Sequence, residues 1–124
     1  MFYPLKGKIA ERKVLRMEYK EAKATGVVRL GANVFFFRQG FKVYYIAYEE
    51  IQKCFRRVMM ISAGAQKGSL KLETLVLADD ERELAQIQLP GADAAKRLLE
   101  ELKEKMPHAD FNSPNKTEGN RVTQ

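Results

Sequence analysis

The sequence predicts an α+β fold in which antiparallel strands are followed by a C-terminal helix. Seven of its twelve Phe and Tyr residues fall between Val34 and Tyr48, in the pattern of two strands. Two further apolar runs, Leu70–Ala78 and Leu84–Leu89, flank the acidic turn Asp79-Asp80-Glu81 and read as a second hairpin. Ala95, Leu98, Leu99, Leu102 and Met106 then recur at i, i+3, i+4, i+7 and i+11, which is one apolar stripe of a helix.

The aromatic stretch divides into strands Val34–Arg38 and Phe41–Ala47, joined at Gln39-Gly40, where glycine supplies the positive φ of a tight turn. Alternation sends Phe35 and Phe37 to one face and Phe36 to the other, and it separates Tyr44 from Tyr45 in the same way. Both faces of this hairpin are apolar, so a second cover is required. It is either a helix of the same chain or a partner.

Elsewhere the elements follow from local signals. Residues 1–9 are interrupted by Pro4 and Gly7. Ala10–Ala24 has helix formers and a stopping glycine at Gly26, although Leu15, Met17 and Tyr19 also alternate with Arg16, Glu18 and Lys20 as a strand would. As a helix it has two apolar sides, Ala10/Val14/Met17 and Leu15/Tyr19/Ala22, as a lid lying between the sheet and something else would. Val27–Leu30 reads as a short strand and Tyr48–Ile51 as one helical turn. Ile51, Cys54, Phe55 and Val58 fit a helical face, but the β-branched run that follows favours a strand from about Gln52 to Ser62. Ala63–Ser69 reads as a loop. Asp93 opens the last helix, Glu101 to Lys105 forms an i, i+4 pair, and Pro107 stops it. The domain plan is a basic, helical N-terminal segment at 1–25, a folded domain at 26–107, and a disordered polar tail at 108–124.

Bulk composition sets further limits. At 124 residues the chain forms one domain with a real core. A single cysteine, Cys54, excludes an internal disulfide framework and suits a reducing compartment. Neither a membrane-spanning apolar run nor a signal-peptide pattern is present, so a cytoplasmic location is expected. Residues 1–57 carry 13 Lys/Arg against 5 Asp/Glu, whereas residues 58–124 carry 9 against 11. The basic half raises the question of an anionic partner.

Catalysis has little to stand on. His108 is the only histidine and follows a helix-ending proline, so it lacks the fixed geometry of a general base. Cys54 has no second histidine to activate it and reads as a buried structural thiol. The acids at 79–81 lack metal-ligand spacing, and no cofactor or metal is expected. Gly64-Ala65-Gln66-Lys67-Gly68-Ser69 lacks the Walker spacing and opens no helix. Nucleic-acid binding is disfavoured because the aromatics lie in the hairpin, where burial accounts for them. On a helix Arg12, Arg16, Lys20 and Lys23 line one side as an anion-facing stripe, interrupted by Glu11, Glu18 and Glu21.

The segment Leu30-Gly31…Phe35-Phe36-Phe37…Tyr44-Tyr45-Ile46-Ala47-Tyr48-Glu49-Glu50-Ile51 resembles bacterial pleckstrin-homology-like and GRAM-like domains. In those families a strand ends in an Ile-x-Tyr-x-x-Ile turn, which Ile46, Tyr48 and Ile51 match. The resemblance covers roughly residues 26–106. It implies a strongly bent antiparallel sheet or partly open barrel, closed at one end by the C-terminal helix, and it does not fix a role, since this fold hosts lipid-binding, peptide-binding and purely structural members. The phosphoinositide signature of lipid-binding members has no match here, so inositide binding passes to no residue. The expected function is protein–protein association, including self-association as a homodimer through Phe35, Phe37, Tyr44 and Tyr45. The alternative is peripheral binding of anionic lipid or a phosphorylated ligand through Arg12, Arg16, Lys20 and Lys23.

Overall fold

The structure, a computed structural model, describes residues 2–6, 11–62 and 69–112. Among these residues the chain forms β1 (Phe2–Pro4), α1 (Arg12–Glu21), β2 (Lys23–Thr25), β3 (Val28–Leu30), β4 (Val34–Gln39) and β5 (Lys42–Ala47). A 3-10 turn at Tyr48–Glu50 leads into β6 (Lys53–Ser62), β7 (Ser69–Ala78), β8 (Glu83–Leu89) and α2 (Ala92–Lys105). The strands make a five-stranded sheet, ordered β1-β5-β4-β3-β2, and a three-stranded sheet, ordered β6-β7-β8. The fold is α+β, and these sheets do not close into a barrel.

Turn chemistry sets the first sheet. Thr25 pairs with Val28 and Gln39 with Lys42, leaving Gly26-Val27 and Gly40-Phe41 as two-residue loops. Each glycine has positive φ, 63° at Gly26 and 62° at Gly40, while Val27 and Phe41 do not. Glycine at the first loop position followed by an ordinary residue is the II′ arrangement, whose twist matches the flanking strands. The aromatic hairpin therefore turns one residue later than its sequence suggests. Gly26, read as a helix stop, is a hairpin glycine. The helix is shorter than Ala10–Ala24 because Ala22 is already extended and Lys23–Thr25 pairs with β3. Ala10 lies outside the described residues.

Residues 2–4 also join this sheet, running parallel to β5 with Tyr3 opposite Tyr44. The boundary drawn after residue 25 thus passes between hydrogen-bonded strands. At the other end, Asp110 inserts beside β6: its N–H donates to the Gln52 carbonyl, and the Cys54 N–H donates to its carbonyl. Phe111 packs against the core. Chain order therefore extends past 108, and residues 113–124 of the expected tail lie outside the described residues, as do 63–68 of the expected loop.

The main core lies between the two sheets and α2. Val28, Leu30, Phe35, Phe37 and Ile46 meet Cys54, Leu75, Leu77 and Ile87, with Ala95, Leu98, Leu102 and Met106 from the helix stripe. Ile46, Tyr48 and Ile51 of the matched turn are all buried here. A smaller cluster occupies the opposite face of the first sheet, where Leu15 of α1 covers Val34, Phe36 and Tyr45. Phe2 and Tyr19 complete it, with the Tyr19 ring edge-on to Phe36 at 5.2 Å and Phe2 5.8 Å from Phe36. Burial of each such side chain contributes roughly 1.5–3 kcal/mol. The cover that the hairpin's second face demands is supplied within the chain.

Candidate functional site

α1 is ten residues long, too short to be stable alone in water. Leu15 is its one buried residue, so polar contacts help to hold it. Glu18 accepts the Asn33 backbone N–H at 3.0 Å and Asn33 Nδ2 at 3.1 Å. At the helix end, Arg29 Nη1 donates to the Tyr19 carbonyl at 3.0 Å, and its guanidinium lies 4.3 Å from the Tyr19 ring centre. A cation at a helix C-terminus also suits the helix dipole.

This anchoring decides what the outer face presents. With Leu15, Glu18 and Tyr19 turned to the sheet, Arg12, Lys13, Arg16 and Lys20 are all exposed. Among the described residues none of the four has an acidic partner. Glu18, which breaks up the stripe in sequence, is withdrawn from it by Asn33. Val14 and Met17 stand bare beside the cations, at 50% and 63% exposure. Glu11 and Glu21 remain exposed at the two ends.

One member of the expected stripe is misplaced. Lys23 belongs to β2, not the helix, and pairs with Glu101 of α2. That contact also takes Glu101 from Lys105, whose ammonium sits 6.0 Å from the Tyr48 ring centre instead. Lys13 takes the place of Lys23 on the exposed face; helical wheel geometry would have found it once the helix ended at Glu21.

The expected aromatic surface is a correction too. Phe35, Phe37 and Tyr45 are buried, and Tyr44 is half-buried, stacked on Phe37 at 5.4 Å. The fold packs one face of the hairpin against the second sheet and α2 and the other beneath α1 and Phe2, so Phe35, Phe37 and Tyr45 offer no free surface and Tyr44 only part of its own. Phe41 alone of that run is fully exposed, because it occupies the turn.

The remaining chemistry is committed to structure. Cys54 is fully buried, and burial pushes its thiol up to about 12. His108 Nε2 is 3.0 Å from the Ile51 carbonyl. Asp79 Oδ1 accepts the N–H groups of Glu81 and Arg82, and Oδ2 pairs with Lys6 at 3.1 Å. A cleft of about 510 Å³ runs past Asn33, Tyr45, Tyr48, Glu50, Lys105 and His108. Among the described residues no His, Cys, Asp and Glu side chains gather as a metal site, and no helix is long and apolar enough to cross a membrane. No family model, curated protein or solved structure matches the chain.

Proposed function

We propose that the chain is a non-catalytic binding module of pleckstrin-homology-like architecture that settles on anionic lipid surfaces through the outer face of α1. The architectural part rests on strand order. An antiparallel meander β2–β5, a second meander β6–β8 and a closing helix α2 follow one another as in that fold. The absence of catalysis rests on the buried thiol of Cys54 and on the His108 imidazole, which is exposed and has Nε2 against the Ile51 carbonyl.

The binding part is carried by one observation: among the described residues Arg12, Lys13, Arg16 and Lys20 are exposed without acidic partners, beside bare Val14 and Met17. Each cation near an anionic membrane contributes about 1 kcal/mol. An amphipathic helix lying flat adds the burial of its apolar side chains at the headgroup boundary. Glu18 keeps its charge but is turned towards Asn33, on the side of α1 away from these cations.

Sedimentation with phosphatidylcholine vesicles, with and without phosphatidylserine, tests the reading. Binding is expected only to the anionic vesicles, weakening as salt shortens the Debye length. The Arg16→Glu/Lys20→Glu variant is expected to lose at least tenfold in affinity. Equal binding by this variant, or no binding at low salt, overturns the proposal. Competition by millimolar inorganic phosphate would transfer the site to a soluble phosphorylated ligand.

A further inference from the structure

We propose that β6 pairs with β6 of a second copy of this chain, joining the two three-stranded sheets edge to edge. The surface differs from α1 and from the buried aromatic hairpin.

Among the described residues β6 is an edge strand, and its outer side is open along most of its length. Asp110 occupies that side only at Gln52 and Cys54. Because the Cys54 N–H points outward to Asp110, alternation directs the N–H and C=O groups of Arg56, Val58, Met60 and Ser62 outward too. Their neighbours at 55, 57, 59 and 61 carry the ladder to β7. Beyond Glu73, which faces Leu89, β8 has ended, and β6–β7 continues as a two-stranded ribbon. Met59 and Met60 stand exposed on that ribbon, Met60 at 58%, and Val58, opposite Glu73, is exposed at its base.

Proteins protect open edges with charge, proline or bulges. β6 has no proline, and its register with β7 is unbroken from Lys53↔Ala78 to Ser62↔Ser69. Past Cys54 its charged residues are Arg56 and Arg57. Each is neutralised within the chain, Arg56 by Glu73 and Arg57 by Glu83. The repulsion that would keep two such edges apart is therefore largely cancelled.

Geometry also selects the register. An antiparallel two-fold pairing centred on Met59 sets Val58 against Met60 and Arg56 against Ser62 of the second copy. All four outward residues then exchange hydrogen bonds, and no arginine faces an arginine. A centre nearer Arg57 would bring arginines opposite one another and collide with Asp110. Met59 meets its own counterpart at the axis, in a pair whose side chains lie close. A free strand edge with apolar side chains on both sides is what β-strand addition requires.

Light scattering and sedimentation equilibrium on the full chain test this. The expected mass is twice 14.2 kDa at micromolar concentrations, little changed by salt. Met59→Lys alone and Met59→Glu alone are expected to be monomers with native circular dichroism, and their equimolar mixture to regain the dimer. Val58→Pro removes an outward N–H that β7 does not use, so it is also expected to give a folded monomer. A wild-type chain that stays monomeric at about 100 μM overturns the proposal. So does a dimer that survives Met59→Lys and Val58→Pro.

Discussion

Glu18 reaches from α1 to Asn33 in the β3–β4 turn, accepting its backbone N–H and its side-chain amide at 3.0 and 3.1 Å. The same carboxylate leaves no room at Gly31. A Cβ there would come within 2.6 Å of Glu18 Oε1 and 3.0 Å of the Val34 carbonyl oxygen. The turn and the helix are thus fitted to each other. Glu18→Ala is expected to cost about 1 kcal/mol, since the contact is partly solvated, and Gly31→Ala about 1–3 kcal/mol from overpacking. Urea denaturation of the double variant checks the coupling. Its loss should fall short of the sum, because removing the carboxylate relieves the shortest clash.

Tyr48 ties the 3-10 turn to that same loop. Its hydroxyl donates to the Gly31 carbonyl at 2.8 Å within the core. Burial first, then the carboxylates of Glu18 and Glu101, holds its phenol well above the ordinary range. Tyr48→Phe leaves the Gly31 oxygen without that donor and should lower stability by about 1–2 kcal/mol. Denaturation midpoints measure the loss, and an unchanged midpoint would refute the assigned role.

Cys54 should be inert in the native state. A thiol raised to about 12 by burial carries almost no thiolate at neutral pH. Reaction with an aromatic disulfide reagent is expected to be slow for the folded chain and rapid in denaturant. Fast labelling under native conditions would show that the β6 end opens readily.

Asp79 predicts behaviour in acid. Hydrogen bonds from the Arg82 and Glu81 amides, then Lys6, lower its carboxyl from 3.8 to about 2. A carboxylate depressed on folding stabilises the native state above its unfolded pKa, and that contribution is lost as pH falls through the folded value. Glu73 and Glu83, lowered by Arg56 and Arg57, act in the same direction. Stability should therefore decline from about pH 4 towards pH 2. Asp79→Asn, which keeps an oxygen for the two amides, should flatten part of that decline when urea midpoints are compared across pH.

The elements whose signal is local were legible in the residues. The helix stripe from Ala95 to Met106, the existence of the two hairpins and the helical turn at Tyr48 each follow from spacing alone, whereas the aromatic hairpin turns one residue later than Gln39-Gly40. Strand alternation likewise sends Arg56 and Arg57 to opposite faces of β6, where they bind Glu73 and Glu83. The binding surfaces were less legible. Lys23 belonged to a helical stripe on paper, yet a hairpin glycine three residues on took it into a strand. The i, i+4 pair of Glu101 and Lys105 yielded to Lys23, which is distant in sequence and near in space. Met59 and Met60 lie in the strand expected from about Gln52 to Ser62, but only the end of β8 at Leu89 leaves them on a two-stranded ribbon.

By itself the sequence determined that a ribbon apolar on two sides must be covered, because alternation of side chains is a property of any strand. Only the tertiary structure decided what covers it. α1 and the N-terminal residues reach that face through contacts far apart along the chain, and no local pattern encodes them. The same packing turned Glu18 inward and, among the described residues, left Arg16, Lys20 and the β6 edge uncovered.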